Sequence, residues 1–397
     1  MFDYTRLRAI EFFYKDRKFI RVYYQDGDLI KQSCYNDDDG WYTMPNDIVA
    51  RDVREGSEPE IKHSTTQAGL TKRWKTRVYY LDKQGQTRLR VRLTSAAGDE
   101  GEWTDAKFPA VKPLQSTQLT AARTDEDNAN IHVYYQDEDH SIRELKYSAD
   151  DDAWYENETC VANALPGTGL SIITGGDGNE IRLFHQDSQN QIREIYSDTD
   201  TTGRISSAGR IEKYTLLPGA GISAVAWNYG KRNFQIRVYS VGADNKIVAM
   251  EYHKEKGGWE RHVKDTSQVI LTGASSGQLS DIAAVRIPED GVISVFYQPQ
   301  RKIIGQYSVA SSSNGRIPLG IPTTGLTGVD KARLEAERQQ KLAAEKQHEE
   351  EEERKRQQKL KDLGVCPSGY AWVKEAGGYR CQGGGHSVTN AELGVAN

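Results

Sequence analysis

Apolar and polar residues alternate along this chain in short runs, and the runs recur. Residues 19–42, FIRVYYQDGDLIKQSCYNDDDGWY, show the pattern once: two alternating segments, an Asp-Gly between them, and an Asn-Asp turn ahead of Gly40-Trp41. Period-two alternation marks strands with one buried face, and Gly, Asp and Asn clusters mark their turns. The first segment returns as TRVYYLD at 76–82, IHVYYQD at 131–137, IRLFHQD at 181–187, IRVYSVG at 236–242 and ISVFYQP at 293–299. Its second residue is Arg21, Arg77, His132, Arg182, Arg237 or Ser294, at separations of 56, 55, 50, 55 and 57. A near-constant period of this length is one structural unit copied six times.

Each unit carries further shared parts. A small apolar stretch precedes the core segment, as in LTAA at 119–122, ISAVAW at 222–227 and DIAAVR at 281–286. A second strand follows it, such as IKQSCY at 30–35, IREL at 142–145, IREI at 192–195 and IVAMEY at 247–252. A turn and a Trp come next in four units, at Trp41, Trp103, Trp154 and Trp259. Four short strands per unit and six units predict an all-β, six-bladed β-propeller of four-stranded blades over residues 1–325. The period is too long for a β-helix, and it runs evenly across any midpoint that would divide two sandwiches.

The periodicity stops near Pro322. Residues 330–363 contain no Gly or Pro and are rich in good helix formers. Glu337–Lys341, Glu350–Arg354, Glu351–Lys355 and Glu352–Arg356 are acid-to-base pairs four apart in the favourable order. Apolar residues are too sparse for a coiled-coil seam, so 326–364 reads as a charged, solvated helical spacer of roughly 50 Å. Residues 365–397 form a small Cys-containing module, in which Cys366 and Cys381 bracket Tyr370, Trp372 and Tyr379. So small a module needs more than burial to fold. A Cys366–Cys381 disulfide would contribute about 3 kcal/mol; the alternative is a pair of thiols.

Composition narrows the function classes. The net charge is −5, which gives no reason to expect nucleic acid. The first residues hold no secretory apolar core, and no run reaches the length of a membrane span. A cytoplasmic address is the default expectation, with export lacking a signal peptide as the other route. Cys34 and Cys160 sit in strand-like sequence. The cysteine spacing is not that of a zinc site, and His386 alone is no metal evidence, so neither metal nor cofactor is expected. The Asp runs 37–39 and 150–152 read as hairpin turns with weak calcium potential. Residues 148–154, SADDDAW, only approximate a sialidase Asp-box, and no nucleophile elbow, HExxH or P-loop is present. Catalysis is not expected.

The candidate chemistry lies in the repeated hairpin. With Asp26-Gly27 as a two-residue turn, Gln25 would pair with Asp28, Tyr23 with Ile30, and Arg21 with Gln32. His132 and Glu144 are twelve apart, as are Arg182 and Glu194, and symmetric pairing would set each directly across the strands. An Arg–Glu pair beside a Trp suits a sugar. The guanidinium offers fixed donors, the carboxylate accepts from hydroxyls, and the indole covers a C–H face. A plain cross-strand salt bridge is the competing reading of any one pair.

RVYYQ, an IRE-type strand and GW, in six tandem units, resembles the fungal fucose-specific lectins typified by the orange peel fungus lectin. The resemblance covers residues 1 to about 325. It implies fucose pockets between adjacent blades, with Arg from the RVY strand and Glu from the IRE strand on the sugar hydroxyls. An aromatic near the GW turn and apolar residues of the neighbouring blade would wrap the ring and methyl.

Carried over unit by unit, the first unit has Arg21, Trp41 and Gln32 in place of the acid. The second has Arg77 and Trp103 with Leu89 at the acid position. The third has His132, Glu144 and Trp154. The fourth has Arg182 and Glu194 but Gly203-Arg204 for Gly-Trp. The fifth has Arg237 and Trp259 with Ala249 for the acid and Glu251 two residues on. The sixth, with Ser294, Gly305 and Arg316, reads as blind. By this count no unit keeps all three residues, and the fourth is the leading pocket. The expected function is a carbohydrate-binding lectin for L-fucose or fucosylated glycans with several degenerate sites. The alternative is a sugar-blind propeller serving as a protein-interaction platform, with the C-terminal helix and tail holding a protein partner.

Overall fold

A computed structural model describes residues 7–259 and 281–321, except 15–16, 45–46, 57–59, 69–70, 96–100, 125–129, 157–158, 176–179, 199–204, 212–214, 244–245, 287–290, 301–302 and 311–318. Toward the C-terminus it describes 351, 353–355, 357–360, 370, 372–375, 378–383, 385–389 and 392. The chain divides into two compact units, Met1–Gly325 and Leu326–Asn397.

Among the described residues, the first unit is built of six antiparallel sheets, each made from consecutive strands. Sheet 1 contains β1 (Leu7–Tyr14), β2 (Arg17–Asp26), β3 (Leu29–Asn36) and β4 (Gly40–Tyr42), and a fifth strand, β5 (Ile48–Ala50), also pairs with β3. Sheet 2 contains β6 (Glu60–Ala68), β7 (Thr71–Leu81), β8 (Thr87–Ser95) and β9 (Thr104–Asp105). Sheet 3 contains β10 (Thr120–Thr124), β11 (Asn130–Gln136), β12 (Ile142–Ser148) and β13 (Ala153–Glu156). Sheet 4 contains β14 (Ser171–Thr174), β15 (Glu180–Gln186), β16 (Ile192–Asp198) and β17 (Ile205–Arg210). Sheet 5 contains β18 (Ser223–Trp227), β19 (Gln235–Val241), β20 (Ile247–His253) and β21 (Gly258–Trp259). Sheet 6 contains β22 (Ile282–Arg286), β23 (Val292–Gln300), β24 (Ile303–Ala310) and β25 (Leu319–Ile321).

The small apolar stretches of the repeat are the first strands. They meet one another in a closed ring, β1 to β6, β10, β14, β18, β22 and back to β1. Closure leaves each first strand with an edge that no neighbouring strand pairs, and buried amides there need acceptors. Side chains of the adjoining sheets supply them. Asp281 Oδ2 accepts from Leu7 N at 2.8 Å, and Glu60 Oε1 accepts from Ala121 N at 3.0 Å. Gln118 Oε1 accepts from Leu170 N at 3.1 Å, Ser171 Oγ from Ala224 N at 2.9 Å, and Ser223 Oγ from Ala284 N at 2.8 Å. Between sheets 1 and 2 the tie is ionic: Arg8 Nε lies 2.8 Å from Glu60 Oε2, and its Nη1 lies 3.5 Å from Asp281.

Apolar side chains of facing sheets fill the seams between them. Between sheets 4 and 5, Ile173, Phe184, Phe234, Ile236 and Val238 form one buried cluster. Between sheets 5 and 6, Val225, Tyr239, Ile282, Ile293 and Val295 form another. Small first-strand residues let the strands crowd at the ring, and the larger residues of the second and third strands fill the widening seam.

The hairpin register differs from the sequence expectation. In sheet 1 the turn residues are Gly27-Asp28, with Asp26 paired to Leu29. Gly27 takes φ +65°, the left-handed value that a turn opening on glycine supplies without steric cost. Consequently Gln25 pairs with Ile30, Tyr23 with Gln32, and Arg21 with Cys34. The same offset holds elsewhere. Arg182 pairs with Tyr196 while Glu194 pairs with Phe184, and His132 pairs with Lys146 while Glu144 pairs with Tyr134. The donor and acceptor positions are therefore diagonal rather than directly opposite. A shift of two residues keeps side chains on the same face, so their proximity survives.

In the second unit, residues 353–355 and 357–360 are helical, and Glu351 and Lys355 form an ion pair at 3.2 Å. Three strands, β26 (Trp372–Glu375), β27 (Gly378–Cys381) and β28 (Ser387–Thr389), form an antiparallel sheet. Leu360 is buried in one cluster with Trp372, Tyr379, Cys381 and Val388. The described helix residues are exposed or half-exposed apart from Leu360, which forms a wall of the tail's core. Gly378 sits where an added Cβ would collide with Val388 O, which explains a glycine there. Cys366 lies outside the described residues, so the disulfide stays an expectation.

Candidate functional site

The fullest constellation lies between sheets 4 and 5. Arg182 rises from β15 and Glu194 from β16, each placed by the alternation that buries Ile181, Leu183 and Ile195 on the other face. Arg182 Nη1 donates to Glu194 Oε1 at 2.7 Å. The second carboxylate oxygen, Glu194 Oε2, accepts from the indole Nε1 of Trp259 at 2.7 Å. Trp259 belongs to sheet 5. It stands edge-on to Phe184 at 6.0 Å and against Tyr252 at 5.5 Å.

Arg182 is held on every side. Its Nε lies 2.5 Å from Glu180 Oε1, and the rings of Tyr196, Phe234 and Tyr252 lie 5.3–5.4 Å from its guanidinium carbon. Burial works against its charge, but Glu194 and Glu180 outweigh that cost and raise its pKa above the ordinary arginine value. Burial and the Glu180 charge push the Tyr229 hydroxyl up as well. The result is a fixed guanidinium, a carboxylate with both oxygens engaged, and half-buried aromatic rings of two sheets around them. Such groups can donate to and accept from vicinal hydroxyls while a ring covers an apolar face.

This arrangement corrects the unit-by-unit count. Sequence self-comparison assigned each Trp to its own unit, but the structure sends it to the preceding sheet. Trp259 joins Arg182 and Glu194, so one site does hold all three residue types. Trp41 of sheet 1 reaches sheet 6, where its Nε1 donates to Gln306 Oε1 at 3.3 Å. Gln306 pairs with Phe296 as Glu194 pairs with Phe184, which makes it the acid-position residue in place of Gly305. Trp41 and Phe296 repeat the edge-on contact at 5.9 Å. Ser294 takes the Arg position, and its Oγ accepts from Gln306 Nε2 at 3.1 Å. The sixth site is thus an amide version of the fourth rather than featureless. Arg316 lies outside the described residues.

The other four sites depart further. Between sheets 1 and 2, Gln32 Oε1 accepts from Arg92 Nη2 at 3.3 Å, and the Arg92 guanidinium covers the Trp103 ring at 4.6 Å. Arg21 Nη1 donates to Ile20 O at 3.2 Å and Tyr35 O at 3.4 Å. All four of these side chains are buried, so an internal cation stands where the indole face would meet a ligand. Between sheets 2 and 3, Leu89 shares an apolar cluster with Trp154, and Phe108 stands edge-on to that Trp at 4.7 Å. Burial lowers the Arg77 pKa, the reverse of Arg182.

In sheet 3, His132 Nδ1 and Glu144 Oε1 are 2.6 Å apart, Tyr134 OH donates to the same oxygen at 2.6 Å, and Thr124 Oγ1 lies 3.2 Å from His132 Nε2. Burial and Glu144 push the Cys160 thiol up to about 12. Gly203-Arg204, the sheet 4 counterpart of the Trp, lies outside the described residues. In sheet 5, Arg237 Nε lies 2.9 Å from Glu251 Oε1, directly opposite in register, while Ala249 fills the diagonal acid position.

Sequence reasoning missed Glu180, Tyr252 and Gln306. Two of them were findable: Glu180 precedes Arg182 by two residues on the same strand face, and Gln306 follows Ser294 by the twelve residues that separate Arg182 from Glu194. The Asp runs are turns, as expected: Asp38 N and Asp39 N donate to Asn36 Oδ1, and Tyr147 OH donates to Asp152 Oδ1. Among the described residues no cluster of metal-ligating side chains occurs, and no helix is long and apolar enough to cross a membrane.

The chain matches known proteins over this same region. Residues 60–319 match the family described as fungal fucose-specific lectin. The fucose-specific lectin of Aspergillus fumigatus is 25% identical over 272 residues, 66% of this chain and 78% of that protein. Among solved structures, the six-bladed β-propeller lectin of Aleuria aurantia superposes with a TM-score of 0.65 at 21% identity, covering 83% of this chain and 100% of that one. The SapL1 lectin in complex with α-methyl fucoside gives 0.61 at 21% identity, covering 81% and 97%. With six sheets closed in a ring and the family match spanning five of them, the chain belongs to the fungal fucose-specific lectin family.

Proposed function

We propose that the protein binds fucosylated glycans, chiefly at the site between sheets 4 and 5. The observation that carries this reading is the joint engagement of Glu194 by Arg182 and Trp259, each at 2.7 Å. It leaves a rigid donor–acceptor pair beside an aromatic wall, and fixed groups lose little entropy when a weak monosaccharide ligand docks. The likeness to fucose-specific relatives supports L-fucose as the sugar. The relatives' names describe binding, and the site is a recognition surface rather than a catalytic one.

The remaining sites are degenerate in different ways. Gln306 and Ser294 between sheets 6 and 1 keep hydrogen-bonding groups without charge. Leu89 removes the acceptor between sheets 2 and 3, and Arg92 covers Trp103 between sheets 1 and 2. A missing partner for a sugar hydroxyl costs about 1–3 kcal/mol, or about ten- to a hundred-fold in affinity. The test is a glycan array of the full chain with fucosylated and matched non-fucosylated probes, alongside Arg182→Ala. Selective fucosylated signal, lost in the variant, is expected. A folded protein that binds no fucosylated probe contradicts the proposal.

A further inference from the structure

A cavity of about 540 Å3 lies at the outer edge of sheet 2, within the size range of small-molecule sites. It shares only Leu89 with the repeated Arg, acid and Trp positions. Its polar wall includes Tyr80, Asp82, Arg88, Arg90 and Asp105, Arg51 and Asp52 add one charge of each sign, and Phe108 adds an aromatic surface. Arg88 and Arg90 stand two apart on β8 and so share a face.

Both arginines are fixed. Arg88 Nε lies 2.6 Å from Asp82 Oδ2, while Asp82 Oδ1 accepts from Gln84 N and Gln86 N at 3.0 and 2.9 Å. Arg90 Nε lies 3.1 Å from Asp105 Oδ1, and its two terminal nitrogens donate to Val49 O and Trp103 O at 2.7 and 2.6 Å. Between these pairs stands Tyr80. It is 6% exposed, its ring packs in the cluster with Val49, Val53 and Trp103, and its hydroxyl makes no hydrogen bond among the described residues. Burial and the Asp105 charge raise its pKa against the pull of Arg90 and Arg88, and its partner in register across the strands is Arg88. A nearly buried phenol left to a polar cavity is a donor and acceptor available to a ligand.

The charge of the wall decides the ligand class. An anion would meet Asp82 and Asp105, and a cation would meet Arg88 and Arg90. A neutral ligand with many hydroxyls satisfies both kinds of group at once, and Phe108 offers a surface for C–H bonds. We propose that this cavity is a second carbohydrate site, taking a neutral saccharide through Tyr80 and the two arginine–aspartate pairs. It does not require the site between sheets 4 and 5 to be active.

Saturation-transfer difference NMR on the full chain tests it, with D-galactose, D-mannose, N-acetyl-D-glucosamine and, as an anionic probe, N-acetylneuraminic acid. The background is Arg182→Ala, so that loss at the other site is read separately from wild type. At least one neutral probe should keep a signal in Arg182→Ala and lose about tenfold in affinity when Tyr80→Phe removes the hydroxyl alone. Asp82→Asn, checked for folding by its melting curve, should weaken the same probe. The proposal is overturned if no neutral probe depends on Tyr80, or if N-acetylneuraminic acid is the only probe that does.

Discussion

Replacing Glu194 by Gln should do more harm alone than together with Arg182→Ser. In the native site both carboxylate oxygens accept, one from Arg182 and one from Trp259, each at 2.7 Å. An amide has one oxygen and one NH2, so either the guanidinium or the indole must face a second donor. A buried donor left without its acceptor costs about 1–3 kcal/mol, more where a charge is involved. The chain already contains the relaxed form of this change. At Gln306 the oxygen still accepts from Trp41, and the NH2 donates to Ser294, which stands where the arginine would be. Glu194→Gln with Arg182→Ser rebuilds that set. Glu180, which also pairs with Arg182, is partly solvated and can shed its partner.

The expectation is therefore a double-mutant cycle with favourable coupling of about 1–3 kcal/mol. It is read from urea unfolding curves of wild type, both single variants and the double variant. Calorimetry with α-methyl-L-fucoside runs in parallel. Both single variants should lose about ten- to a hundred-fold in affinity, and the double variant should stay blind although it is the more stable protein. Additive stabilities would refute the donor–donor conflict. Fucoside binding by the double variant would refute the assignment of the charged pair to the sugar.

Three further outcomes follow from the same geometry. Trp259→Phe keeps a ring but removes the donor to Glu194, and calorimetry should show fucoside affinity falling by about tenfold. Arg8→Met leaves Glu60 and Asp281 buried without their cation at the ring, and chemical denaturation should show a loss of about 3–5 kcal/mol. Burial lowers the pKa of His185, whose Nδ1 lies 3.0 Å from Gln186 O. Its folded pKa is depressed, so the unfolded chain takes up the proton first as pH falls, and stability is lost from about pH 6.5 downward. His185→Tyr, which copies Tyr135 at the same repeat position, should flatten the fall in melting temperature across that range.

The fold was legible because its unit is repeated. The segment beginning at Ile20 and its five copies fixed the strand pattern, the number of sheets and the strand that carries Arg182. Register was less legible, since DGD at 26–28 offers both Asp26-Gly27 and Gly27-Asp28 as a turn. The observed choice puts the glycine first and moves Gln32 from Arg21 to Tyr23. The resemblance placed pockets between adjacent blades, but which sheet each Trp joins was not legible. A repeat shows which residues share a unit, whereas ring closure sets each unit's third-strand Trp against the sheet before it, and no local signal in the sequence encodes that offset. Gln306 was missed for a smaller reason, a count of eleven from Ser294 where the fourth unit has twelve. Arg92 could not have been anticipated, because its role depends on Trp103 and on Gln32 of a different sheet.

The most direct test of the central claim is calorimetric titration of the full chain with α-methyl-L-fucoside. The account predicts one dominant site that Arg182→Ala abolishes while Arg77→Ala and Arg237→Ala leave it intact. Binding that survives Arg182→Ala in a folded protein, or that depends equally on all three arginines, would contradict it.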